Sequence, residues 1–97
     1  MRFFVIATRN QTASPDEFTT ELLQFEGKRA LKLFADDFIR EIYSRTDGKG
    51  GVIVVEAASE SEVKEKLGKL PMVQKGPLSL EIHGTKLWRV FEDMAAA

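Results

Sequence analysis

The stretch Gly50–Gly84, GGVIVVEAASESEVKEKLGKLPMVQKGPLSLEIHG, decides how this chain folds. Val52 to Ala58 is apolar at nearly every position and rich in β-branched residues, the pattern of a strand covered on both faces. Ser59 or Ser61 can cap the helix that follows, in which Val63, Leu67 and Leu70 form a stripe at helical spacing. Glu62, Lys64, Glu65, Lys66 and Lys69 cover the rest of that helix, and Gly68 and Pro71 help to end it. After a connection from Pro71 to Pro77, Leu78 to His83 alternates with period two. Leu78, Leu80 and Ile82 share one face, and Ser79, Glu81 and His83 share the other.

Upstream the same order of elements recurs. Arg2 to Thr8, RFFVIAT, reads as a second strand apolar on both faces. Ser14-Pro15-Asp16-Glu17 is a capping box with proline at the first helical position. It predicts one long helix from Pro15 to about Ala35. That helix carries two apolar sets, Phe18, Leu22 and Phe25 on one face and Leu23, Ala30, Leu31 and Phe34 on another. Either it bends near Gly27, or its first half packs on a partner subunit. The cations Lys28, Arg29 and Lys32 read as a solvated face. Phe38 to Arg45 suits a strand, and Asp47-Gly48 between two strand-like runs signals a hairpin. The glycines of that turn lack the spacing, and the following helix, of a phosphate-cradling loop. Lys86 to Met94 reads as an extended segment with Trp88, Val90 and Met94 on one side.

Composition sets the bounds. A chain of 97 residues is expected to form one domain, residues 1–97, with 85–97 as an extension that docks on a partner subunit. With 43% hydrophobic and 30% charged residues it is an ordinary globular sequence. A formal net charge of −1 offers no bulk attraction to nucleic acid or an anionic membrane. There is no cysteine, hence no disulfide framework and no thiolate metal site. The apolar run Phe3–Ala7 is too short for a signal peptide or a membrane span, so a cytoplasmic location is expected.

The order strand, helix, strand, strand, helix, strand predicts an α+β, ferredoxin-like βαββαβ fold: a four-stranded antiparallel sheet with two helices on one face. The first and third strands, at its centre, are apolar on the face away from the helices as well. An apolar patch of that size implies an interface, so the sheet is expected to pack face to face against a copy of itself. The residues carrying these features resemble muconolactone isomerase and its relatives in the dimeric α+β-barrel superfamily. The similarity rests on Arg40 and the Ile42-Tyr43 pair in the second strand, Glu56 ending the third, Lys69-Leu70-Pro71, and the closing Leu80–Gly84. It covers roughly Gly27 to Gly84. The Gly/Lys-rich loop before the third strand, His83 and the Trp88-containing tail depart from that family's pattern. The resemblance implies a homodimer, and a cofactor-free isomerase of a small carboxylated or lactone-like metabolite.

Two clusters carry candidate chemistry. Glu81 and His83 share a strand face, where a carboxylate can tune an imidazole for proton transfer near neutral pH. Arg40, Glu41 and Tyr43 are candidate substrate-binding residues, with Arg40 able to hold a carboxylate bidentately. Simple alternation separates Arg40 and Ile42 from Ile39, Glu41 and Tyr43. Trp88 is expected to cover the cavity or dock on the partner. The competing class is a non-catalytic dimeric module that binds a small ligand or serves in assembly, in which these polar residues are only rim charges. No cofactor and no metal are called for by either class.

Overall fold

The computed structural model describes residues 1–96. Strands β1 (Arg2–Arg9), β2 (Ile39–Ser44), β3 (Gly50–Glu56) and β4 (Leu78–Gly84) form one antiparallel sheet in the order β2-β3-β1-β4. Helices α1 (Thr20–Ala35) and α2 (Glu60–Gly68) pack on one face, with the single turn α3 (Pro71–Gln74) beside them and α4 (Arg89–Ala96) following β4. This is the ferredoxin-like α+β fold, with the two most apolar strands at the centre as the sequence requires.

Alternation along the strands sorts side chains between the two faces. Phe3 and Val5 of β1, Ile53 and Val55 of β3, and Ile39 of β2 are buried together under Val63 and Leu67 of α2, with Leu80 and Ile82 packed against them. Burying each of these branched side chains contributes about 1.5–3 kcal/mol. The opposite face carries no helix among the described residues. Its middle rows run His83–Phe4–Val54–Glu41 and Glu81–Ile6–Val52–Tyr43 across all four strands.

Three sequence expectations are corrected. The helix from Pro15 is not continuous: Pro15–Glu17 is a single 3-10 turn, and Thr19 caps α1 anew by accepting the Leu22 N–H at 3.1 Å. A second capping side chain so near the first restarts the helix, so the break falls at Phe18–Thr19 and not at Gly27. The inward stripe of α1 is therefore Leu22, which is buried, with Glu26, Ala30 and Leu33, which are partly buried, spaced i, i+4, i+8 and i+11. Leu23, Phe25, Leu31 and Phe34 are all exposed. The tail is not extended, because Arg89–Ala96 is helical and buries none of its residues. In β2 a bulge shifts the register between Ile39 and Glu41. Ile39 and Ile42 consequently both fall on the helix side, while Glu41 and Tyr43 fall on the other.

Local chemistry sets the remaining ends. Ser59, not Ser61, caps α2 through the Glu62 N–H. The β2–β3 turn closes with Gly48 at φ 73°, and Arg45 N–H donates to the Gly50 carbonyl at 2.8 Å. No helix among the described residues is long and apolar enough to cross a membrane.

Candidate functional site

The hollow in this molecule begins with small side chains. On the helix face, Ser44, Gly51 and Ala7 lie side by side at one level of the sheet. Gly51 cannot be larger, since an added Cβ would stand 2.7 Å from the Tyr43 carbonyl oxygen. The next level up is Ile42, Ile53 and Val5, of which Ile42 and Ile53 wall the cleft. Leu23 and Glu26 of α1 and Met72 of α3 roof the gap, leaving a cleft of about 520 Å³. Its lining is mostly apolar with a few polar groups, the usual character of a small-molecule site.

Glu26 is the chemically distinctive group in the cleft. The helical register that buries Leu22 and partly buries Ala30 and Leu33 turns this carboxylate inward too. Its Oε1 accepts the Met72 N–H at 3.1 Å. Burial raises its pKa above the ordinary 4.5, and the Met72 hydrogen bond opposes that rise only in part. Glu26 takes part in none of the ion pairs among the described residues. Arg9 also lines the cleft, its guanidinium 4.5 Å from the centre of the Phe18 ring and likewise outside every such ion pair. A carboxylate whose pKa is raised by burial in a mostly apolar cleft is a stronger base than a solvated one and can accept a proton, and a guanidinium stacked on an aromatic ring can hold an anion.

The residues singled out from sequence lie mostly elsewhere. Glu81 and His83 are neighbours on the helix-free face, with Oε1 and Nε2 3.5 Å apart, and both side chains are more than half exposed. Glu41 accepts the Tyr43 hydroxyl proton on that same face, and the nearby carboxylate raises the Tyr43 pKa. The two pairs sit on opposite edges of the sheet with β1 and β3 between them, about 14 Å apart at ordinary strand spacing. Arg40 is in the bulge and exposed. In a single chain Arg40, Glu81 and His83 face water and do not converge. Trp88 is 61% exposed and stacks edge-on against Phe91, with ring centres 5.0 Å apart. Of the residues picked from sequence, only Tyr43 also borders the cleft. Sequence reading missed Glu26 and Arg9. The available signal was an acid four residues after Leu22 and four before Ala30, on the stripe that must be buried.

No family model matches the sequence, and no curated protein matches it either. Among solved structures, one similar chain is 5-chloro-2-hydroxyhydroquinone dehydrochlorinase from Burkholderia phenoliruptrix AC1100, in complex with 2,5-dihydroxybenzoquinone. The two folds agree with a TM-score of 0.64 over 93% of this chain and 98% of that one. The chains share a fold. At 16% identity that likeness carries the architecture and no residue role.

Proposed function

We propose that this protein is a cofactor-free enzyme that moves a proton within a small carboxylated or lactone-like metabolite, an isomerase using the cleft under α1. The observation that carries the reading is Glu26: a partly buried carboxylate with a raised pKa, outside any ion pair, in a cleft that also holds Arg9. Glu26 removes a proton from the carbon next to the substrate carbonyl and returns it to another carbon. Its Oε1 is anchored by the Met72 N–H, which leaves Oε2 for the substrate. Arg9 holds the substrate carboxylate at the mouth. The fold shared with a dehydrochlorinase is compatible with this reading and does not select it.

The proposal includes a cytoplasmic homodimer, each subunit a single domain with residues 85–97 docking on its partner. Support comes from the helix-free face, where Phe4 is 41% exposed at the centre of a sheet. In such a dimer the Glu81–His83 pair would be covered. That makes it the second reading of the proton-transfer site, with Arg40, Glu41 and Tyr43 as substrate contacts. The non-catalytic ligand-binding or assembly module remains the alternative class. A panel of small lactones and unsaturated carboxylic acids, followed by solvent-deuterium exchange at carbon, separates these readings. Exchange lost in Glu26→Gln and kept in His83→Ala is the expected result. The reverse pattern moves the site to the sheet face, and no exchange with any compound sinks the enzyme reading.

A further inference from the structure

A second cleft lies on the other flank of α1, between it and α2, and holds about 220 Å³. Arg29 and Lys32 reach it from α1, and Lys66 and Lys69 from the end of α2. Asp36 is the one acid in its lining. On a chain of net charge −1, this gathering of cations is a local segregation and not a bulk excess. Lys69 is paired with Glu65 at 3.8 Å, while Arg29, Lys32 and Lys66 belong to none of the ion pairs among the described residues.

Cations near helix C-termini offset the helix dipole, and that alone would account for charge here. It does not account for two further features. The floor between the cations is apolar, made by Leu33, Phe38 and Leu70. Moreover, Lys66, though exposed, is not directed only at solvent. Its ammonium lies 4.8 Å from the centre of the Phe38 ring. The arrangement is a ring of donors over a hydrophobic base, open to solvent and smaller than the ~300–1,000 Å³ typical of drug-sized ligands.

We propose that this cleft binds a small phosphate ester, its phosphate held by Arg29, Lys32 and Lys66 and its apolar part seated over Phe38. A phosphate presents three acceptor oxygens and close to two negative charges, which suits three cations that are in no ion pair among the described residues. When Lys66 turns to the phosphate, the ligand's apolar part takes its place over the ring. The cleft is separate from the one containing Glu26, so the inference stands whatever reaction that site performs.

The test titrates the full-length wild-type chain, followed by amide proton–nitrogen correlation spectra, with phenyl phosphate and separately with inorganic phosphate. Salt is held at about 0.15 M, where weak surface attraction is largely screened. Phenyl phosphate is expected to move the amides of Leu33, Phe38, Lys66 and Leu70 and to bind about tenfold more tightly than inorganic phosphate. Replacing Lys32 and Lys66 together by alanine is expected to weaken binding about tenfold or more, with an unchanged circular dichroism spectrum. Lys64→Ala is expected to bind as wild type. Equal affinity for the two phosphates overturns the proposal, as do shifts scattered over lysines on every face. Because the mapping is done first on the wild-type protein, it does not depend on any variant folding.

Discussion

In the proposed reading, Glu26 sets stability against function within one side chain. Since the fold raises its pKa, the folded state binds a proton more readily than the unfolded chain does. Its contribution is therefore most favourable below pH 4.5 and declines as pH rises through the folded-state value. Glu26→Gln keeps an oxygen for the Met72 N–H and removes the buried charge. It should melt higher than wild type at neutral pH and no higher under acidic conditions, which paired thermal melts will check. If Glu26 is the base, the same variant loses about 10²–10⁴-fold in turnover. Asp47 behaves oppositely. The Lys49 N–H at 2.8 Å lowers its pKa despite some desolvation, helped by Arg45 Nη2 at 2.6 Å. The stability it contributes is present above 3.8 and lost as pH falls through its lowered folded value, so Asp47→Asn should abolish that part of the acid unfolding curve.

The strands and helices divide into those whose residues announce themselves and those whose geometry overrides the pattern. The β2–β3 turn shows how tight that geometry is. Gly50 has φ 149°, and a Cβ there would come within 2.0 Å of the Ala7 carbonyl oxygen. Gly50→Ala is expected to cost about 3 kcal/mol in a denaturant titration, far more than Gly27→Ala, where an added Cβ meets open space. Leu67→Ala, at the centre of the α2 stripe, should cost about 2–5 kcal/mol in the same assay. All four strands and both packed helices were legible from period and capping, because these signals act within a few residues. The restart at Thr19 was not, since Ser14 and Thr19 are both good caps and only tertiary packing shows that both are used. The bulge at Arg40 has no local marker, and it reverses the face assigned to Ile39. The cleft was illegible for a further reason. It depends on Ser44, Gly51 and Ala7 meeting from three strands, a coincidence of register and not of sequence neighbourhood.

At the scale of the molecule, the chain is long for its size. Its radius of gyration is 15.3 Å and its extents are 56 × 27 × 22 Å, against about 12.5 Å for the radius of a compact chain of this length. The exposed Leu87, Trp88, Phe91 and Met94 before and within α4 fit the proposed docking of this segment on a second subunit. Phe4→Glu would place a charge at the centre of the proposed sheet interface. Analytical ultracentrifugation should then show a monomer where wild type sediments as a dimer; wild type sedimenting as a monomer removes the dimer from the proposal. The order β2-β3-β1-β4 has one more consequence, for how the chain is made. Of the four strands of this sheet, β1 leaves the ribosome first and is hydrogen-bonded on both sides by strands synthesised after it, the second of them ending at Gly84. Until that last strand emerges, β1 has an unpaired edge, and nascent chains stalled near Pro77 would be clients for chaperones or seeds for aggregation.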